Sequence, residues 1–167
     1  MVTQALIDKI GNKIPIIVGP TAIGKTSFAI KLAKNLNGEI ISIDSRQIYK
    51  DFKIGTAQPT IEEQSEIPHY LINLINAEEI ISAGKYVELI KNTIDDIKQN
   101  CKYPIIAGGT MLYVQALCFG IINHADSNPK FRQKYFDQIN AGDIEFLRNK
   151  LKLIDSEYAK KVTDNDH

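Results

Sequence analysis

The sequence predicts an α/β fold, a parallel sheet flanked by helices, followed by the beginning of a helical insertion domain. Two patterns carry this reading. Through the first 120 residues, short apolar runs rich in β-branched residues alternate with longer segments of helical spacing. That alternation marks strands buried on both faces by crossover helices. From 121 to 167 the strand-like runs cease and only helical segments follow. The chain therefore divides into a core over 1–120 and a helical unit begun over 121–167.

The elements follow in order. Ile14 to Val18 reads as a buried strand, and a Gly-rich turn leads into a helix from Thr26 to Leu36 with apolar Phe28, Ile30, Leu32 and Ala33. Asn37-Gly38 stops that helix, and Glu39 to Ile43 is a second buried strand. This strand, Gly loop, helix, strand order is a βαβ unit. Residues 44 to 60 form a polar connector, after which Thr60 and Glu63 fit a capping box opening a short helix. Tyr70 to Leu74 is expected as a third strand. Ser82 caps a helix to Gln99 whose apolar face is Tyr86, Val87, Ile90, Ile94 and Ile97. Pro104 to Ala107 is a fourth strand, and Gly108-Gly109-Thr110 turns into a helix from Met111 to Phe119. Asn128-Pro129 is a cap followed by proline at the first helical position, and helical segments are expected near 129–140, 143–153 and 156–162.

Composition narrows the class. Lys+Arg 20 balances Asp+Glu 20, so no net field draws the whole molecule to nucleic acid or an anionic surface, and an RNA-binding role needs a local basic face. The two cysteines, Cys101 and Cys118, lie far apart, form no metal or redox pair, and are expected as reduced, buried thiols. No apolar run approaches the ~20 residues that span a bilayer, and no signal-peptide stretch opens the chain; a cytoplasmic location without membrane attachment is expected.

The strongest chemical signal lies between the first strand and its helix. Gly19-Pro20-Thr21-Ala22-Ile23-Gly24-Lys25-Thr26 matches the P-loop pattern GxxxxGK[ST]. Its glycines let backbone N–H groups face an anion, and the helix N-terminus adds positive potential. Lys25 is placed to meet terminal phosphate oxygens, and the Thr26 hydroxyl to ligate Mg²⁺. The fold class is thus P-loop NTPase-like. A nucleotide kinase or NTPase usually adds an acidic residue at another strand end. The strand ending at Ala107 carries none, whereas Asp44 directly follows Ile43. The carboxyl ends of the strands form the binding crevice of such sheets. There Asp44 can act as a base, a metal support, or a turn former. Arg46 and Gln47 beside it are donors suited to phosphate or a base edge.

The segments GPTAIGKT (19–26), IISIDSRQIY (40–49), IGTAQPT (54–60), Pro68-His69 and GGTMLY (108–113) occur in order. Together they closely resemble the tRNA dimethylallyltransferases, also called isopentenyl-tRNA transferases. The resemblance implies transfer of the dimethylallyl group of dimethylallyl diphosphate to N6 of the adenosine 3′-adjacent to the tRNA anticodon. The P-loop, sometimes described as ATP-binding, holds the prenyl diphosphate with Mg²⁺, consistent with the lack of an acid after Ala107. Asp44 matches the family's general base, and Thr21 a P-loop threonine that meets the diphosphate or developing charge. Asp44, Ser45, Arg46, Gln47 and Thr110 match positions that contact the tRNA anticodon stem-loop. Arg132 aligns with a further tRNA-contacting arginine in the helical insertion, and Lys130 and Lys134 add local positive charge. No obligatory protein partner is implied.

The chain departs from the family at three places. Gln58 stands where the family has Lys, Tyr70 stands where a second His is common, and the family continues for roughly twice this core's length. His69 is read as a structural hydrogen-bonding group, and His124 and His167 as solvent-exposed. A chain ending at His167 is expected to be poorly active and prone to association. Two other classes compete: a small P-loop nucleotide kinase, which lacks its arginine-rich lid here, and a remnant that binds diphosphate or RNA without turnover.

Overall fold

A computed structural model describes residues 2–50, 52, 54–120 and 128–163. The chain divides into two compact units, Met1–Ile121 and Ile122–His167. The first holds a four-stranded, all-parallel sheet in the order β1-β4-β2-β3, formed by β1 (Ile16–Val18), β2 (Gly38–Ser42), β3 (His69–Tyr70) and β4 (Tyr103–Gly108). Its helices are α1 (Gln4–Ile10), α2 (Lys25–Leu36), α3 (Ile61–Glu66), α4 (Ala83–Gln99) and α5 (Met111–Phe119). The α/β class and its parallel sheet are those expected from the sequence.

Strand alternation decides the layers. Ile41 and Ile106 join Tyr86, Ile90, Ile94 and Ile97 of α4 and Tyr113 of α5 in one buried cluster. Their neighbours Ile40 and Ile105 join Ala29, Ile30, Leu32 and Ala33 of α2 in another. The central strands β2 and β4 are thereby covered on both faces, which explains their unbroken apolar sequences. Each fully buried Ile or Leu contributes about 1.5–3 kcal/mol relative to exposure.

Helix ends match their sequence signals. Thr60 and Glu63 form the reciprocal capping box of α3, and the Ser82 side chain accepts from Lys85 N at the start of α4. Helix α1, capped by Thr3, was not foreseen; it buries no residue fully, and its half-buried face is only Leu6, Ile7 and Ile10, of which Ile10 packs against the α2-side cluster. The third strand is shorter than the expected 70–74. Only His69 and Tyr70 pair with β2, because Leu71 and Asn73 adopt left-handed backbone conformations that end the extended run. Tyr70 donates its hydroxyl to Glu39 of β2 at 2.8 Å.

The cysteine expectation is corrected. Cys101 and Cys118 are free as expected but exposed: Cys101 sits in a left-handed turn after α4, and α5 buries only Tyr113 and Ala116. Among the described residues no helix is long and apolar enough to cross a membrane.

The second unit contains α6 (Pro129–Asn140), α7 (Ile144–Ile154) and α8 (Ser156–Ala159). Asn128 caps α6 by accepting from Lys130 N and Phe131 N, as its Asn-Pro sequence predicts. Ile139, Ile144, Leu147, Leu151, Tyr158 and Val162 line an apolar recess within this unit. His124 and His167 lie outside the described residues.

The closest approach in the sheet lies at the end of β4. A Cβ on Gly108 would stand 2.3 Å from the Ile43 carbonyl oxygen and 2.6 Å from its carbon. Both are backbone atoms, so β2 would have to shift. Gly108→Ala is expected to destabilise the fold by about 1–3 kcal/mol or more, read from urea unfolding. Gly55→Ala, with nothing within 4 Å of the added Cβ, should stay within about 0.5 kcal/mol.

His69 donates from Nδ1 to the Ile67 carbonyl at 2.7 Å, the structural bond expected of it. Desolvation by burial holds its pKa below the ordinary imidazole value. The unfolded chain therefore binds this proton more readily than the folded one. Stability is full above the ordinary value near 6.5 and declines as pH falls from there through the lower folded pKa. Urea midpoints measured across that window should fall less steeply for His69→Gln than for the parent chain.

Candidate functional site

The carboxyl ends of β1, β2 and β4 converge on the Gly19–Thr26 turn. Gly24 precedes α2 at φ 90° and ψ 21°, a left-handed conformation that glycine adopts without steric cost. No side chain caps the helix. Its first-turn N–H groups therefore stay without intrahelical partners, and the helix dipole adds to their anion-attracting potential. A cavity of about 250 Å³ opens against this end, lined by Thr21, Lys25, Thr26, Asp44, Gln47 and Glu63, with Ala22, Gly24 and Ser27 from the same turn and Thr56 and Ala57 from the connector. Lys25 Nζ donates to the Pro20 carbonyl at 2.8 Å, which keeps its ammonium over the turn. A Cβ on Gly19 would meet Ile23 Cγ2 at 3.3 Å. Ile23 itself is 66% exposed, so it takes no part in the core.

Asp44 takes the turn-forming role, one of those its sequence left open. Oδ1 accepts from Arg46 N at 2.9 Å and from Gln47 N at 3.4 Å, an Asx turn that fixes the side chain. Among the described residues no hydrogen bond engages Oδ2, which lies 3.8 Å from where a Gly109 Cβ would stand. Asp44 lines the same cavity as Lys25 and Thr26, and a Cβ at 109 would make only ordinary van der Waals contact with its Oδ2.

The neighbouring candidates are tied into this turn. Ser45 N donates to Thr110 Oγ1 at 2.9 Å, and that hydroxyl donates to Ser45 Oγ at 3.2 Å. Thr110 makes no side-chain cap on its own helix α5; its hydroxyl binds the end of β4 to the end of β2 instead. Gln47 Oε1 accepts from Ser42 Oγ at 2.9 Å, and Nε2 donates to the carbonyls of Thr56 at 3.3 Å and Ala57 at 3.0 Å. Arg46 is exposed. Gln58 turns its amide to the carbonyls of Gln47 at 2.8 Å and Tyr49 at 3.1 Å, so in this chain the position braces the connector backbone. Arg132 belongs to the second unit, where its guanidinium carbon lies 5.9 Å from the Phe136 ring centroid.

Two residues escaped the sequence reading as site groups. Glu63 lines the cavity while its carboxylate accepts from Thr60 N at 2.8 Å; its only sequence signal was the capping box. Tyr86 reads as one more apolar position of α4. Its buried hydroxyl donates to Ser42 O at 3.0 Å and accepts from Asp44 N at 3.4 Å, and its ring stacks on Tyr113 with centroids 4.4 Å apart. Burial raises its pKa far above the ordinary phenol value, so the proton stays in place at neutral pH. The Thr26 hydroxyl and the carboxylates of Asp44 and Glu63 offer hard oxygen donors that suit Mg²⁺ alongside phosphate oxygens. Among the described residues no group of three or more His, Cys, Asp or Glu gathers as a protein-only metal cage. Tyr86→Phe strips a buried hydrogen bond from the end of β2, and chemical denaturation should register a loss of about 1–3 kcal/mol.

Comparison with known proteins places this architecture. The IPP transferase family model matches residues 47–167. A tRNA dimethylallyltransferase of Halothermothrix orenii is 44% identical over 152 residues, covering 90% of this chain and 46% of that protein. One from Aquifex aeolicus is 43% identical over 154 residues, covering 92% of this chain and 50% of the relative. Among solved structures, a eukaryotic dimethylallyltransferase acting on tRNA matches with a TM-score of 0.77 at 31% identity, over 92% of this chain and 38% of that one. The Bacillus halodurans tRNA isopentenylpyrophosphate transferase matches at 0.65 and 36% identity, over 93% of this chain and 52% of that one. The chain thus spans about half the length of the curated relatives it matches. A family match over most of the chain, joined to the same fold in solved relatives, establishes that it belongs to the IPP transferase family.

Proposed function

We propose that this protein transfers the dimethylallyl group of dimethylallyl diphosphate to N6 of the adenosine 3′-adjacent to the anticodon of tRNA, acting in the cytoplasm. One observation carries the proposal: a carboxylate, Asp44, and a P-loop cation, Lys25, face the same cavity of about 250 Å³. Alkyl transfer to an amine from a diphosphate needs both. The bond between the allylic carbon and diphosphate oxygen breaks, the bond from N6 to that carbon forms, and N6 gives up a proton. Asp44 Oδ2 accepts that proton, while the Asx turn at Oδ1 keeps the carboxylate from rotating away. Diphosphate leaves with a growing negative charge, which the α2 N-terminus and Lys25 stabilise in a site already oriented for it.

Mg²⁺ bound through Thr26 and diphosphate oxygens would neutralise leaving-group charge. Thr21, at the cavity wall, is assigned to the diphosphate. The target adenine has to leave the anticodon-loop stack to bring N6 to Asp44. Ser45, Arg46, Gln47 and Thr110 are assigned to the RNA around it, and Arg132 to the stem-loop.

Prenyl transfer to an unmodified anticodon stem-loop, followed in single turnover, tests this reading. Asp44→Ala should slow transfer about 10²- to 10⁴-fold and preserve thermal stabilisation by dimethylallyl diphosphate. Lys25→Ala should lose that stabilisation. Stabilisation by ATP with AMP, and none by the prenyl diphosphate, would replace the reading with a nucleotide kinase.

A further inference from the structure

A second recess adjoins the P-loop cavity. It measures about 280 Å³ and is lined by Arg46, Tyr49, Phe52, Thr56 and Ala77. Thr56 lines both spaces, so an occupant of one is a neighbour of an occupant of the other. The recess is built from a fixed aromatic corner. Tyr49 and Phe52 meet edge to face, with centroids 6.5 Å apart and planes at 88°. Thr56 Oγ1 donates to the Phe52 carbonyl at 2.6 Å, and Gln58 Nε2 holds the Tyr49 carbonyl at 3.1 Å. Tyr49 also bridges to Ile75, while Arg46 N is held by the Asp44 carboxylate.

We infer that this recess receives an unpaired nucleobase of the acceptor RNA, one that flanks the acceptor adenosine, by stacking against the Tyr49–Phe52 corner and the Arg46 guanidinium. The inference rests on the prenyl-transfer reading above and adds a subsite to it. Aromatic faces and a planar guanidinium are the surfaces on which splayed RNA bases stack. The lining favours a base over the prenyl group: Arg46 gives one wall a planar cation, and Phe52 is 51% exposed, so an occupant that stacks while remaining partly in water fits it better than an alkyl tail. The occupant is not the reacting adenine, whose amine has to meet Asp44 in the neighbouring cavity. One Asx turn therefore couples the two subsites, with Asp44 facing one and Arg46 the other.

The test pairs a protein variant with an altered RNA. Phe52→Ala removes a half-exposed ring and no core residue, so the fold should persist. Direct binding is measured by titrating the 167-residue chain with an anticodon stem-loop, and with the same RNA abasic at each nucleotide flanking the acceptor. Phe52→Ala should weaken the intact RNA about 5- to 100-fold, the range for losing one stacked base, and should have little further effect on one of the abasic RNAs. In the parent chain, 5-iodouridine at that position should photocrosslink to Tyr49 or Phe52. Equal weakening of intact and abasic RNAs, or crosslinks only outside residues 46–56, would overturn the subsite. Loss of dimethylallyl diphosphate affinity in Phe52→Ala with RNA binding intact would reassign the recess to the prenyl group. A parent chain that is stabilised by dimethylallyl diphosphate yet binds no stem-loop would overturn the subsite alone, whereas stabilisation by ATP with AMP and none by the prenyl diphosphate would overturn the prenyl-transfer reading.

Discussion

The contact on which the site depends is the approach of β4 to the end of β2, where Gly108 passes the Ile43 carbonyl too closely for any side chain. Pairing continues past the formal end of β2: Ile43 N donates to Ala107 O at 2.9 Å, and Thr110 N to Ile43 O at 3.3 Å. These bonds bring the residues after both strands to one edge. Asp44 Oδ2 and the Gly19 carbonyl then both lie beside Gly109, and Thr110 reaches Ser45. A bulkier end to β4 would separate the carboxylate from the Gly19–Thr26 turn. Gly108 is therefore a steric requirement of the site before any of its residues meets a ligand.

Around this contact, polar groups are used as rivets between elements. The Tyr86 hydroxyl fastens α4 to the backbone on either side of Ile43. Gln47 links β2 to the connector, and Gln58 returns the connector to the Tyr49 backbone. Each buried hydrogen bond contributes only about 1 kcal/mol net, but losing one partner leaves the other desolvated and costs more. The network thus resists displacement of Asp44 more than it adds to overall stability. The apolar clusters of α2 on one face and α4 on the other supply the bulk of the folding energy.

Much of the fold was legible because the central strands and helices obey simple periodicities. The run EIISI gave β2 within a residue of its observed bounds, and the spacing Tyr86, Val87, Ile90, Ile94, Ile97 matches the buried face of α4. The run YLINL misled because apolar content cannot reveal that Leu71 and Asn73 turn left-handed. At the candidate site, the gathering of Thr21, Lys25, Thr26 and Asp44 around one cavity was readable because each stands at the carboxyl end of a predicted strand. Tyr86, Glu63 and the Tyr49–Phe52 corner were not readable as site groups. They reach the site through tertiary contacts, and each already had a sufficient local explanation as core, cap or loop.

The P-loop hangs from β1, a strand of three residues whose ladder runs to β4 alone among the described residues. Val18, the last of them, is 44% exposed. The turn is thus cantilevered: it is held by α2 on its far side and by a single rail of hydrogen bonds on its near side. The edge facing β4 and Asp44 carries that ladder, so an element pairing along the other side of β1 would brace the Gly19–Thr26 turn without touching it.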